Sequence, residues 1–171
     1  MTTQNHFVIG ASAAIAQSFI DRLHHQDPSS HVYTISQQNI EAHHHNRTHI
    51  VSEYNEDSIA HTVEMLKTPL QHAATITIFN GQLHNQEFTP EKRLEDISEG
   101  YFDWIFKANT LTPILWLKML APHLSKIRHP CVVTCLSARV ASINENELGG
   151  WYCYRASKAA LNMMFKTASI E

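Results

Sequence analysis

Short runs of β-branched and aromatic residues alternate along the chain with longer stretches whose apolar residues recur every three or four positions. The runs predict strands at His6–Gly10, His31–Ser36, Thr48–Ser52, Ala74–Phe79 and Cys131–Leu136. The longer stretches predict helices at Ser12–His25, Glu56–Lys67, Tyr101–Leu124 and Tyr152–Ile170, and Glu91–Ile97 reads as the start of a further helical region. In Glu56–Lys67, for example, Ile59, Val63 and Leu66 fall on one face. Strand-then-helix alternation predicts an α/β fold: a doubly wound parallel sheet with helices on both faces, Rossmann-like, joined by right-handed connections. Several strands are apolar nearly throughout, as a sheet covered on both faces requires. There is no internal repeat, low-complexity tract or linker, so residues 1–171 are expected to form a single α/β domain.

Composition narrows the function. A net charge of −3 gives no electrostatic reason to bind nucleic acid or an anionic membrane. No apolar run approaches the roughly 20 residues that span a bilayer. The polar start, Met1 to Phe7, has neither the basic nor the apolar part of a secretion signal. These readings predict a cytoplasmic protein without nucleic-acid or membrane partners. Three cysteines, an odd number, argue against a disulfide scaffold and for buried thiols in a reducing compartment. The 13 histidines include His43-His44-His45, but consecutive side chains point different ways and do not preform a metal site. No metal is expected.

Two local patterns carry candidate chemistry. The first strand runs into Gly10-Ala11-Ser12-Ala13-Ala14-Ile15-Ala16. Such a turn delivers helix N-terminal amides to a pyrophosphate, although strand-Gly-helix geometry also occurs without a ligand. Tyr154 and Lys158 lie four apart, on one face of a predicted helix. An ammonium beside a phenol lowers its pKa and makes it an acid/base near neutral pH, yet the same spacing also occurs as an ordinary surface pair.

Taken in order, several segments resemble the short-chain dehydrogenase/reductase family, and within it a C-factor-like subgroup of carbonyl reductases. They are Gly10-Ala11-Ser12, Asn80-Gly81-Gln82-Leu83-His84, Pro90-Glu91-Lys92-Arg93-Leu94, Asn109, and Leu148 through Asn162 with its Tyr154-Arg155-Ala156-Ser157-Lys158 core. The resemblance implies an NADP(H)-dependent oxidoreductase that reduces a small carbonyl or oxidises the alcohol. Tyr154 would be the proton donor. Lys158 would hold the nicotinamide ribose and depress the Tyr154 pKa. Asn109 would interrupt its helix and hold a water that links Lys158 to solvent. Gly10, Ser12, Ala14, Ile15, Ser36, Ser52, Asn80 and Gly81 would line the cofactor site with Tyr154 and Lys158.

The chain departs from that family in places. Ala14 and Ala16 replace two glycines of the turn, and Ala14 places a methyl where backbone should approach phosphate. Ala138 stands where a substrate-orienting serine is expected, leaving Ser137, Ser142 or neither to replace it. Ser137 can do so only if its strand has already ended. The chain is expected to be truncated after the helix following the fifth strand, without the C-terminal strands and substrate loop. Ser36-Gln37-Gln38 offers no carboxylate against a 2′-phosphate, which favours NADP over NAD. The alternative is a catalytically degenerate dehydrogenase fold that binds a nucleotide or partner, or signals. Apolar residues run nearly round 101–124 and 152–170, including Trp116, and predict a homodimer or tetramer through those helices.

Overall fold

All five residues of β1 (Asn5–Ile9) are buried, because this strand is paired on both edges. It lies between β2 (His31–Ser36) and β4 (Ala73–Ile78); β3 (Arg47–Val51) and β5 (Val132–Cys135) complete a five-stranded sheet of order β3-β2-β1-β4-β5. Every pairing is parallel. In this computed structural model residues 4–41 and 45–171 are described. His43 and His44 lie outside them.

The fold is doubly wound. From β1 the chain first moves outward through β2 and β3, then returns to the other side of β1 for β4 and β5. The reversal falls between β1 and β4, the switch point at whose carboxyl ends ligands bind in such sheets. All five predicted strands form, within two residues at each end.

The helices are α1 (Ala14–Gln26), α2 (Glu56–Met65), the single turn α3 (Lys67–Leu70), α4 (Glu99–Phe106), α5 (Thr112–Leu124) and α6 (Tyr152–Ala168). Asn55 caps α2 by accepting the Ser58 N–H at 2.8 Å, and Glu56 and Asp57 favour the positive end of its dipole. The predicted helical start at Glu91–Ile97 does not form: only a 3₁₀ turn, Leu94–Asp96, closes there. Asp96 accepts the Arg93 N–H at 2.9 Å, and Glu91 bonds elsewhere, to α6.

Two compact units partition the chain. The first comprises residues up to Phe79 with Leu115–Cys135, and holds the whole sheet. In its core, Val8, Ala11, Ala16, Ile20, Val32 and Phe79 pack together. Trp116, 1% exposed, lies edge-on to Tyr54, so this residue belongs to the first unit's core and not to a surface for association. The second unit, Asn80–Ile114 with Leu136–Glu171, is organised around Tyr101, Ile105 and Cys153, against which Phe88, Trp104, Phe106 and Tyr154 pack.

Among the described residues no helix is long and apolar enough to cross a membrane. Cys131, Cys135 and Cys153 form no disulfide. No group of three metal-ligating side chains converges among the described residues.

Candidate active site

The turn after β1 is made by backbone. Gly10 has φ of 82°, a conformation side chains disfavour. Its N–H and that of Ala11 donate to the Ile35 carbonyl at 2.9 and 3.0 Å. The Tyr54 hydroxyl, held by a residue itself at φ 62°, accepts from Gly10 N at 3.1 Å and donates to Ile35 O at 3.1 Å. α1 then opens with Ala13 at its N-cap and no side-chain cap. Ser12, Ala14 and Ile15 are exposed, whereas Ala16 is fully buried in the core. The methyl of Ala14 therefore faces outward from the first residue of the helix, where an anion would meet the helix amides.

At the carboxyl end of β2, Ser36 is fully buried and donates its hydroxyl proton to the Gln38 carbonyl. That proton is committed within the chain. Ser52, 3% exposed, shares a hydroxyl hydrogen bond of 3.2 Å with Ser58 at the start of α2.

In the second unit, side chains make the site. α4 and α5 run on from one another through a π-helical turn, Lys107–Leu111, that contains Asn109. Pro113, four residues on, has no N–H to give the Asn109 carbonyl. Instead the Thr112 N–H reaches back five residues to Lys107 O, and the Thr112 hydroxyl joins it there at 2.9 Å. The expected interruption of the helix at Asn109 is thus present and has a local cause.

Asn109 is 0% exposed. Its Oδ1 accepts the Gln82 N–H at 2.6 Å, and its Nδ2 donates to Gln82 O at 2.9 Å and Ser157 Oγ at 3.1 Å. Ser157 in turn donates to Tyr154 O at 2.8 Å, and its own carbonyl accepts from the Thr110 hydroxyl at 2.8 Å. These bonds lock the middle of α6 to the π turn. Both amide protons of Asn109 are used, so a water held by this residue must sit on one of its oxygens, and Pro113 leaves the main-chain one without the usual donor four residues on.

Lys158 is 3% exposed and donates to Leu136 O at 3.0 Å. A Cβ on Gly81 would lie 2.8 Å from Lys158 Nζ and 3.4 Å from Asn109 Oδ1, so only glycine leaves the ammonium where it is. Asn80, Gly81, Asn109, Leu136 and Lys158 therefore meet at one place. Among the described residues, Asn80 Oδ1 and Ser137 Oγ are buried with no hydrogen-bond partner.

Tyr154 is half-buried against the aromatic cluster, with Trp151 edge-on at 6.1 Å between ring centroids. Burial pushes its phenol above the ordinary value. This direction is opposite to the depression implied by pairing with Lys158, and its cause is loss of hydration.

Ser137 follows the end of β5 at Cys135, so the condition for its turning inward is met. Ser142 instead lines a cavity of about 370 Å³ with Ala159, Asn162, Met163 and Lys166. At about 100° per residue Asn162, four residues on from Lys158, shares its face of α6, whereas Ala159 and Met163 turn away from it.

Three features lay outside the sequence reading: the Tyr54 brace, the Gln82–Asn109–Ser157 bonds, and Glu91. Only the second had a legible signal, a proline four residues after Asn109.

No family model and no curated protein matches the chain. Solved structures do. The aldohexose dehydrogenase of Thermoplasma acidophilum is 21% identical, with a TM-score of 0.76 over 98% of this chain and 61% of its own. The carbonyl reductase Sniffer of D. melanogaster is 20% identical, with a TM-score of 0.83 over 98% and 75%. A carbonyl reductase from Pseudomonas aeruginosa PAO1 is 18% identical, with a TM-score of 0.78 over 96% and 75%. At these identities the likeness is one of fold: the chain has the doubly wound fold of these dehydrogenases and reductases, and spans about three fifths of the first one's length.

Proposed function

We propose that the chain is the nucleotide-binding and catalytic part of an NADP(H)-dependent oxidoreductase of the short-chain dehydrogenase/reductase type, acting on a small carbonyl or alcohol. The observation that carries the reading is the convergence of buried Lys158 and Asn109 on Gly81, one helical turn from Tyr154. A buried ammonium and a fully satisfied buried amide cost desolvation that packing alone does not require.

The residues fit a nicotinamide cofactor. In the first unit, Gly10, Ser12, Ala14 and Ile15 present the uncapped start of α1 to phosphate, with Ser36 and Ser52 at neighbouring strand ends. In the second, Asn80, Gly81, Tyr154 and Lys158 would take the nicotinamide ribose. No carboxylate in 36–38 opposes a 2′-phosphate, so NADP is favoured over NAD. The bound cofactor supplies or accepts hydride. Tyr154 gives its phenolic proton to the carbonyl oxygen of the substrate. Lys158, held by Leu136 O, stabilises the resulting phenolate, and a water on Asn109 returns the proton from solvent. Ser137, with an unpartnered buried hydroxyl beside Leu136, is the better-placed donor to the developing oxyanion, with Ser142 the alternative.

A second reading, a degenerate fold that binds without turnover, draws on Ala138 and the raised Tyr154 phenol. Self-association would use the apolar residues that stay exposed in the second unit, Phe102, Leu111, Met163 and Met164. A cytoplasmic setting is the reading of the odd cysteine count.

Titration of nicotinamide fluorescence with NADPH and with NADH tests the reading. Saturable binding of NADPH, tighter than NADH, together with reduction of a test aldehyde, is the expected result. Binding without turnover would support the second reading, and no binding of either would reject both.

A further inference from the structure

α6 begins in an unusual way. Gly149, Gly150 and Trp151 are consecutive left-handed residues, with φ of 65°, 66° and 54°. Glycine tolerates this conformation; tryptophan does not, and such strain persists only where the surroundings over-determine it. Trp151 is the N-cap yet supplies no side-chain acceptor, and the first turn of α6 holds no acidic residue. By its own sequence this helix is poorly started, although Tyr154 is its third residue.

Glu91, 60 residues before Trp151, supplies what is missing. Its carbonyl accepts the Trp151 N–H at 2.6 Å, and its side-chain Oε1 accepts the Cys153 N–H at 3.2 Å. Glu91 is 3% exposed and makes no ion pair among the described residues. A buried carboxylate without a cation is costly; the positive end of a helix dipole and its unbonded amides are what can hold it there. Arg155, the next residue round, braces the same loop by donating to Gly150 O at 2.9 Å, Gly149 O at 3.1 Å and Val140 O at 3.3 Å.

We propose that Glu91 is a positioning residue: its side chain caps α6 from outside the helix and fixes the first turn, and with it Tyr154, in place. The cap itself stands on the geometry alone; its consequence for turnover rests on the proton-donor role proposed for Tyr154. Cys153 reports the same contact, since burial and then the Glu91 carboxylate push its thiol up to about 12.

The test compares Glu91→Met, which keeps the volume and removes both oxygens, with Glu91→Gln, which keeps an acceptor. Peptide-level hydrogen exchange on the whole chain reads the first turn of α6. Glu91→Met should speed exchange of the Cys153 and Tyr154 amides about tenfold while α1 stays unchanged; Glu91→Gln should stay within about threefold of the parent. Unchanged exchange in Glu91→Met, or an equal rise in α1, overturns the cap. Where the parent reduces a test aldehyde, kcat should fall in Glu91→Met with KM for NADPH unchanged and recover in Glu91→Gln; a fall confined to KM overturns the positioning role. A parent with no turnover would count against the proposed function, while the exchange result would still decide the cap.

Discussion

The turn at Gly10 and the centre at Asn109–Lys158 are built by opposite means. At the turn, main-chain groups do nearly everything: Gly10 and Ala11 donate to Ile35 O, and the exposed side chains are small or apolar. At the centre, side chains do nearly everything: Asn109 makes three hydrogen bonds, Ser157 relays them, and Lys158 reaches a carbonyl from a buried stem. Backbone-built sites accept many sequences so long as the dihedrals are permitted. Side-chain-built sites accept few. The two places should therefore answer substitution very differently.

The largest effect belongs to the centre. Tyr154→Phe removes the phenolic proton and keeps the ring that packs on Trp151. Carbonyl reduction should fall by a factor of order 10²–10⁴, with the fold unchanged by circular dichroism. Unchanged turnover would remove Tyr154 from the chemistry.

Asn109→Ala tests the same centre without reference to a cofactor. It strands the Gln82 N–H and carbonyl and takes one donor from the Ser157 hydroxyl, which keeps its bond to Tyr154 O, so stability in urea should drop by about 2–4 kcal/mol. A loss under about 0.5 kcal/mol would show that water replaces the side chain and that the centre is less tightly specified than its bonds suggest.

This asymmetry also governs what could be read from the chain. The five strands were legible because buried parallel strands are continuous apolar runs, and β1 is buried at every position. That Lys158 and Asn109 would come together at Gly81 was legible because side-chain chemistry leaves residue identities behind. The failed helix at Glu91–Ile97 was not, because its periodicity is real while Glu91 is drawn off to α6 by a contact 62 residues away. Tyr54 was invisible for a related reason: its left-handed backbone and its bonds to Gly10 and Ile35 depend on tertiary placement that no local pattern encodes. Placement of Trp116 in the core likewise needed its partner Tyr54 to be known.

Titration should undo the fold from both sides, and burial raises Tyr33 and Cys131 in the first unit. Burial lowers the pKa of His6, His31 and His49 in the first unit below the ordinary 6.5. The unfolded chain then binds more protons, so this part of the stability is present above about pH 6.5 and lost as pH falls through the lowered values. In the second unit Cys153 is raised from 9.0 to about 12, and Tyr154 is raised as well. Here the folded state holds the extra proton, so stability is present below about pH 9 and lost as pH rises towards 12. Urea midpoints measured across pH should form a plateau with two falling limbs. Cys153→Ala should soften the alkaline limb, to which Tyr101, Tyr154, Tyr33 and Cys131 also contribute, and leave the acid one alone.

Ala14→Gly sharpens the comparison at the turn. The outward methyl is removed from the first residue of α1, and NADPH should bind about fivefold more tightly if close backbone approach is what the methyl limits. The helix loses up to about 1 kcal/mol of propensity in exchange. An unchanged or weaker dissociation constant would clear Ala14 of crowding the site.

The smallest expected effect is the one most able to break the comparison. Tyr54→Phe deletes the only side-chain hydroxyl bonded to Gly10 N, while the ring keeps its edge contact with Trp116. Gly10 N retains Ile35 O at 2.9 Å, and so loses one of two acceptors without being stranded. Ile35 O likewise retains the amides of Gly10 and Ala11. The left-handed backbone at Tyr54 is common to both side chains and cancels. What is lost is two hydrogen bonds whose partners each keep another, so stability should fall by about 1–2 kcal/mol and NADPH affinity should hold within about threefold. A loss of about 3 kcal/mol or more, or a tenfold fall in affinity, would mean that a side chain sets the turn after all. The turn would then belong with Asn109 and Lys158 among sites specified residue by residue, and its glycine would be only part of its signature.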